Sequence, residues 1–381
     1  MNILLLGGSN AGLRDGWAAQ FAQIATEHSI TNQFLGAVGS LFGLLRLLKR
    51  QQDKAAQPDL IVFEYALNDI ILAEGGCLGM DLLRDTLEEI TQHCAERKIG
   101  LLFLMLAPRN SKGQSLASSA RVTREYAKTA RARGMFPSLT LSQILGGPPT
   151  VSCYQDPYHL TPEVSGLVAQ SLRVTLRKHE IPAPMPAPER RPIFCYVQAT
   201  KARAAGSARL RQRESKVFKG LFLEMARPSV SYWPGRGLLV ALMLRSSETA
   251  GVFKVSAGSA AYRKTAASIM QETVSKLLLL HHMSHPIYVN DDLEISMPDD
   301  EASLMALPED KTSQQAAPAA QFAEQLMEIN GVLLWRGRSL WERCHDAISL
   351  AARRVFLHAR ERLQGRGSTA MSRESARDLF R

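Results

Sequence analysis

Asn2-Ile3-Leu4-Leu5-Leu6-Gly7-Gly8-Ser9-Asn10-Ala11-Gly12 is the stretch on which the reading of this chain turns. Ile3–Leu6 is a short apolar run of the kind a sheet buries, and Gly7 and Gly8 stop it. Residues 11–28 follow with Leu13, Trp17, Phe21 and Ile24 spaced by three and four, one apolar helix face. A strand that turns into a helix at a glycine pair puts the next side chain, Ser9, at the carboxyl edge of an open α/β sheet, where ligands gather.

The alternation continues outward. Phe34–Leu35 reads as a short second strand, 40–51 as a helix, Asp59–Ala66 as a buried strand and 79–98 as an amphipathic helix. Gly100–Leu106 is another buried strand, 117–133 a helix, and Leu139–Leu141 a fifth strand. Residues 163–178 form the last helix of the series, with Thr161 as N-cap and Pro162 in its first turn. Strands separated by helices predict a parallel sheet covered on both faces, a three-layer α/β/α unit over residues 1–181.

At 182–192 the composition changes: proline at nearly every second position predicts an extended spacer. Residues 193–300 then read as a mostly β accessory domain. Its strands are expected at Ile193–Gln198, Val217–Met225, Leu238–Leu244, Gly251–Val255, Ile287–Val289 and Leu293–Met297, with a helical-looking interruption at 267–282. Residues 301–320 read as a flexible linker. The stretch 321–365 reads as a basic amphipathic helical segment, with Leu334, Trp341, Ile348 and Val355 recurring every seven residues, and 366–381 as a loose tail.

Composition sets the outer limits. The chain has 381 residues, 45% of them hydrophobic and 22% charged, which fits a two-domain globular protein. No run of about 18 uncharged apolar residues suits a membrane span. The first residues have no basic region and too short an apolar run for a signal peptide. Cys77, Cys94, Cys153, Cys195 and Cys344 contain no Cys-x-x-Cys, which argues against a disulfide framework or zinc ribbon and for a reducing compartment. The expected location is therefore cytoplasmic, with peripheral attachment at the inner membrane face as an option. The net charge of +10 sits in the second half: residues 1–189 carry 18 Lys and Arg against 17 Asp and Glu, and residues 190–381 carry 28 against 19.

Two further pieces join Ser9. Glu64-Tyr65-Ala66-Leu67-Asn68-Asp69 ends the Leu60–Phe63 strand on the same sheet edge, where Asn68 can aim an N–H at an oxyanion. Asp156-Pro157-Tyr158-His159 precedes the last helix of the first unit. A histidine there can take the serine proton and return it to a leaving group, and Asp156, three residues earlier, can reach its other ring nitrogen. Singly, each piece is as well explained by a helix cap or a turn.

Together, Gly-Gly-Ser-Asn, then Asn-Asp after a later strand, then Asp-x-x-His before a final helix resemble the SGNH/GDSL hydrolases over residues 1–180. The resemblance implies a flavodoxin-like fold, Ser9 as nucleophile, and Asp156 and His159 as its triad partners. It also implies an oxyanion hole from Ser9, Asn68 and a glycine N–H, for which Gly36 and Gly39 both qualify. Gly-Gly-Ser-Asn replaces the family's Gly-Asp-Ser, a variant associated with bacterial polysaccharide-modifying members. Ala66 stands where glycine is usual. The expected activity is ester hydrolysis, directed at an O-acetyl group on a carbohydrate, with no cofactor and no metal. Acyl transfer to a polysaccharide hydroxyl is the alternative, and a non-catalytic carbohydrate- or assembly-binding role the alternative of another class.

Other features weigh less. The glycines after the first strand match neither a dinucleotide loop nor a phosphate-binding P-loop. His281, His282 and His285 have ligand-like types but no completing carboxylate or cysteine pattern, and read as surface or half-buried histidines. Tyr196, Tyr232, Trp233 and Tyr262 read as core aromatics before a sugar-binding face. Around 332–363, Trp335, Trp341 and Phe356 alternate with seven arginines, among them Arg336, Arg338 and Arg343. The plainer reading is a helix packed on its own domain. The other is contact with an anionic membrane surface or a protein partner, with nucleic acid ranked last.

Overall fold

The computed structural model describes residues 1–110, 112–187, 192–214, 218–268, 276–311 and 315–337. The first unit comprises β1 (Asn2–Gly7), α1 (Ser9–Gly12), α2 (Trp17–Ile24), β2 (Ser29–Asn32), α3 (Ser40–Gln52), β3 (Leu60–Glu64), α4 (Ala66–Glu74) and α5 (Met80–Glu96). It continues through β4 (Gly100–Met105), α6 (Ser119–Ala132), β5 (Leu139–Thr140), α7 (Leu141–Ile144) and α8 (Pro162–Lys178). The five strands are parallel in the order β2-β1-β3-β4-β5.

Successive side chains of a strand point to opposite faces, and β1 shows the division. Ile3 and Leu5 join Trp17, Phe21, Val168 and Leu172 beneath α2 and α8, whereas Leu4 and Leu6 join Leu44, Leu83, Leu87 and Tyr126 beneath α3, α5 and α6. With both faces buried, β1, β3 and β4 read as continuous apolar runs. The three-layer α/β/α, flavodoxin-like order expected from the sequence is thus observed.

The second unit is a nine-stranded antiparallel sheet built from β6 (Phe194–Gln198), β7 (Arg203–Glu214), β8 (Lys219–Pro234), β9 (Gly237–Ser247), β10 (Val252–Ala257), β11 (Ala260–Thr265), β12 (Lys276–Val289), β13 (Asp292–Met297) and, after α9 (Glu301–Met305), β14 (Met327–Trp335). β8 changes partner along its length, pairing β14 through Leu223–Met225 and β13 through Ser229–Pro234. The unit has its own core, including Trp233, Phe253, Ile295, Ile329 and Leu334.

The two units also share a core. The apolar cluster beneath α3, α5 and α6 continues into Ile193, Phe194, Tyr196, Phe222, Val240, Met243, Leu280 and Leu333 of the second. At its rim, the buried Arg46 guanidinium lies 5.1 Å from the Phe218 ring centre, and the Trp335 indole donates to Asp85 at 3.0 Å. The described part of the proline-rich segment, up to residue 187, is held by the first unit. Met185 N–H donates to the Arg133 carbonyl and Ala187 N–H to the Gln92 side chain, both at 2.8 Å.

Several expectations are corrected. The second strand is Ser29–Asn32, not Phe34–Leu35, and the helix expected at 11–28 is interrupted between Gly12 and Trp17. Asn68, expected just past the end of the Leu60–Phe63 strand, stands in the first turn of a helix, α4. Of the interruption expected at 267–282, residues 276–282 belong to the strand β12, and 321–335, expected to open a helix, contains β14. The linker expected at 301–320 holds α9 and the buried Asp310 and Gln315. Residues 338–365, including Trp341, Ile348 and Val355 of the heptad and all the arginines after Arg336, lie outside the described residues, as does the tail 366–381. Among the described residues no helix is long and apolar enough to cross a membrane.

Candidate active site

Ser9 begins α1 immediately after Gly8, at the carboxyl end of β1. His159 sits in the loop before α8, whose N-cap Thr161 accepts from Val164 N–H. That loop is pinned from several sides. Tyr154 OH donates to the Ala107 carbonyl at 2.6 Å, Arg109 N–H donates to the Pro157 carbonyl at 2.9 Å, and the Arg109 guanidinium donates to the Pro149 carbonyl at 2.9 Å. The buried Asn10 adds two bonds, donating to the Tyr158 carbonyl and accepting from Leu160 N–H, both at 2.9 Å.

These supports bring together residues about 150 apart in sequence. Ser9 Oγ lies 2.8 Å from His159 Nε2, and His159 Nδ1 lies 2.6 Å from Asp156 Oδ2. The other Asp156 oxygen accepts from the backbone N–H groups of Tyr158 and His159 at 2.8 and 2.9 Å. Partial burial opposes the ionised form of Asp156, but the hydrogen bonds from His159 and Tyr158 outweigh it and hold the carboxyl below its ordinary range.

The remaining expected residues separate. Asn68 is buried with its amide against Gly8, the residue that precedes Ser9 in the chain. Gly36 is partly exposed beside the serine: a Cβ built on it would lie 3.2 Å from Ser9 Cβ. Gly39 is buried, and a Cβ there would collide with the Asp69 carboxyl and Leu72. Geometry therefore places Gly36 beside Ser9, and Gly39 against Asp69 and Leu72 at the N-cap of α3.

Two buried acids beneath the site have no counterpart in the sequence reading. Glu64 is fully buried, and its Oε2 accepts from Gly8 N–H at 3.1 Å. Burial pushes its carboxyl up to about 8, against the opposing effects of the Gly8 N–H and the Trp17 indole. Asp69 accepts from Ser40 N–H at 2.8 Å and from Tyr126 OH at 2.6 Å, and burial pushes it up to about 7 despite these bonds. Glu64 closes an apolar run and Asp69 sits in the Asn-Asp pair, but nothing in their local pattern announces burial.

Away from this edge, Tyr196 and Trp233 are buried, as expected of core aromatics, whereas Tyr232 is exposed and Tyr262 stacks on His285 with ring centres 5.5 Å apart. His281 and His282 are buried in β12, a correction to the surface or half-buried reading, and burial holds both rings well below the ordinary histidine range. Among the described residues no three His, Cys, Asp or Glu side chains are grouped so as to hold a metal ion.

No protein-family model matches the sequence, and no curated protein matches it. Solved structures do. A two-domain esterase active on acetylated mannans matches 89% of this chain and 92% of its own, with a TM-score of 0.57 and 15% identity. Esterase EstA from Pseudoalteromonas sp. matches 46% of this chain and 97% of its own, with a TM-score of 0.37 and 16% identity. A GDSL-like lipase from Bacteroides thetaiotaomicron matches 46% and 88%, with a TM-score of 0.38 and 15% identity. The two-unit fold is thus one a known esterase also has, and with Ser9, Asn68, Asp156 and His159 in this order along a five-stranded parallel sheet, the chain resembles the SGNH/GDSL hydrolases.

Proposed function

We propose that this protein is a serine ester hydrolase that works through an acyl-enzyme on Ser9, and that its substrate is an O-acetyl group on a carbohydrate. The observation that carries the proposal is the unbroken chain from Ser9 Oγ through His159 to Asp156, with links of 2.8 and 2.6 Å. A serine hydroxyl is a weak nucleophile until a base takes its proton, and a base is effective only when its tautomer and direction are fixed.

In this reading Ser9 Oγ attacks the acyl carbon while His159 Nε2 takes its proton. Asp156 holds Nδ1–H and stabilises the imidazolium. The oxyanion is met by the N–H groups of Ser9 and Gly36 and by the Asn68 amide. The C–O bond to the sugar then breaks, His159 returns the proton to the leaving hydroxyl, and water repeats the cycle to release acetate. A second sugar hydroxyl in place of water makes the same residues a transferase.

The carbohydrate specificity draws on the two-domain esterase, whose likeness spans both units. The test is acyl release from acetylated oligosaccharides, short-chain esters and thioesters, with and without acceptor sugars. Acetate released from acetylated sugars, and abolished by Ser9→Ala, is the expected result. Failure of every ester together with failure of Ser9 to react with a fluorophosphonate overturns the reading.

A further inference from the structure

Asn10, next to the nucleophile, is 1% exposed, and its amide spends both ends on the loop that carries the base. Nδ2 donates to the carbonyl of Tyr158 and Oδ1 accepts from the N–H of Leu160, each at 2.9 Å. Those two residues flank His159. We propose that Asn10 is a positioning residue: by gripping the backbone on both sides of His159 it fixes the ring over Ser9, throughout the reaction and not only before it. The proposal rests on the reading of Ser9 and His159 as nucleophile and base.

The grip needs a donor and an acceptor on one short planar group. Aspartate has no donor for the Tyr158 carbonyl, glutamine is a methylene longer, and alanine offers neither partner. The other ties on the loop, from Tyr154 and Arg109, run to the carboxyl end of β4. Asn10 runs to the turn that holds the nucleophile itself. That difference matters once Ser9 is acylated. Its hydroxyl proton is gone, so the Ser9–His159 hydrogen bond no longer exists, yet the ring must stay in place to activate water. The Asn10 bonds do not change with acylation, so they keep ring and ester in register for the second half of the cycle.

The test compares Asn10→Ala and Asn10→Asp with wild type. Displacement of a catalytic group by about 1 Å costs on the order of 100-fold. The expected result is a fall of about 10- to 100-fold in fluorophosphonate labelling of Ser9 and in ester turnover, with KM little changed and deacylation slowed at least as much as acylation. In a His159→Ala background, Asn10→Ala should add no further loss, because its effect passes through the ring. Asn10→Asp keeps the Leu160 contact and serves if the alanine variant does not fold. Unchanged labelling, or the same fold-loss with and without His159, overturns the proposal. Hydrogen exchange at the Leu160 amide gives an arm independent of activity: it should quicken in Asn10→Ala while β3 amides keep their protection. If wild-type Ser9 neither labels nor turns over ester, the functional reading falls and this arm decides: unchanged Leu160 exchange overturns the grip itself.

Discussion

The amide oxygen of Asn68 occupies the space that a Cβ on Gly8 would need. Gly8 is therefore part of the site through what it lacks: it lets a side chain from α4 lie against the backbone that precedes the nucleophile. Gly8→Ala should push the Asn68 amide aside and lower turnover about as much as Asn68→Ala does, roughly 100- to 1000-fold for one oxyanion donor. The double variant should be no worse than either single one. Additive losses in steady-state kinetics would mean that Gly8 matters for another reason.

The order of the motifs along the first unit was legible because β1, β3 and β4 are buried on both faces and stand out as apolar runs, with helices of clear period between them. The helix that carries Asn68 is not legible, because α4 follows β3 with only Tyr65 between them and Asn-Asp has the look of a turn. Much of the second unit was not legible. β14 is buried along nearly its whole length, paired with β6, β8 and β9, so it lacks the alternation that marks a half-exposed strand. β12 begins Lys276-Leu277-Leu278-Leu279-Leu280, residues of good helix propensity that tertiary pairing with β9 overrides. Gly36 and Gly39 cannot be told apart by spacing, since what separates them is packing, Gly36 against Ser9 and Gly39 against Asp69.

The two glycines should respond differently. Gly36→Ala adds a methyl 3.2 Å from Ser9 Cβ, tighter than ordinary contact, and should lower ester turnover with little effect on the melting temperature. Gly39→Ala drives a methyl into the buried Asp69 carboxyl and should lower the melting temperature by several degrees. The reverse pattern would return Gly39 to the oxyanion hole.

Ser9→Ala and His159→Ala should each lower turnover by several orders of magnitude without unfolding the chain, because nucleophile and base act as a unit. Asp156→Ala should be milder, since His159 keeps its capacity for proton transfer while losing orientation. Turnover near wild type in His159→Ala, measured on any ester the wild type cleaves, would remove the mechanism.

Glu64 gives a pH signature of definite sign. Its folded carboxyl, raised to about 8 from an ordinary 4.5, binds a proton that the unfolded chain releases between those values. Its contribution to stability is therefore full below pH 4.5 and is lost as pH rises toward 8, and Asp69 acts with the same sign between 3.8 and about 7. Asp156, held low, has the opposite sign and loses its contribution as pH falls. Glu64→Gln should melt progressively higher than wild type as pH is raised from 5 to 9. A constant difference across that range would show that Glu64 does not change its charge there.

The shared core bears on whether the catalytic unit stands alone. Every residue of the proposed mechanism precedes residue 182, and the proline-rich stretch looks like a place to cut. The apolar cluster beneath α3, α5 and α6 nevertheless runs into the second unit through Phe194, Phe222, Met243, Leu280 and Leu333, each buried and worth about 1.5–3 kcal/mol when removed from water. Cutting at residue 187 would return much of that surface to solvent and leave Arg46 and Asp85 without Phe218 and Trp335. Domains are stable by only about 5–15 kcal/mol, so the loss is comparable with the whole. The fragment 1–187 should aggregate or show near-UV circular dichroism without fixed tertiary structure, and should label with fluorophosphonate far more slowly than the full chain. A monomeric fragment that melts cooperatively and labels at the full-length rate would show that the first unit folds without the face the second one covers.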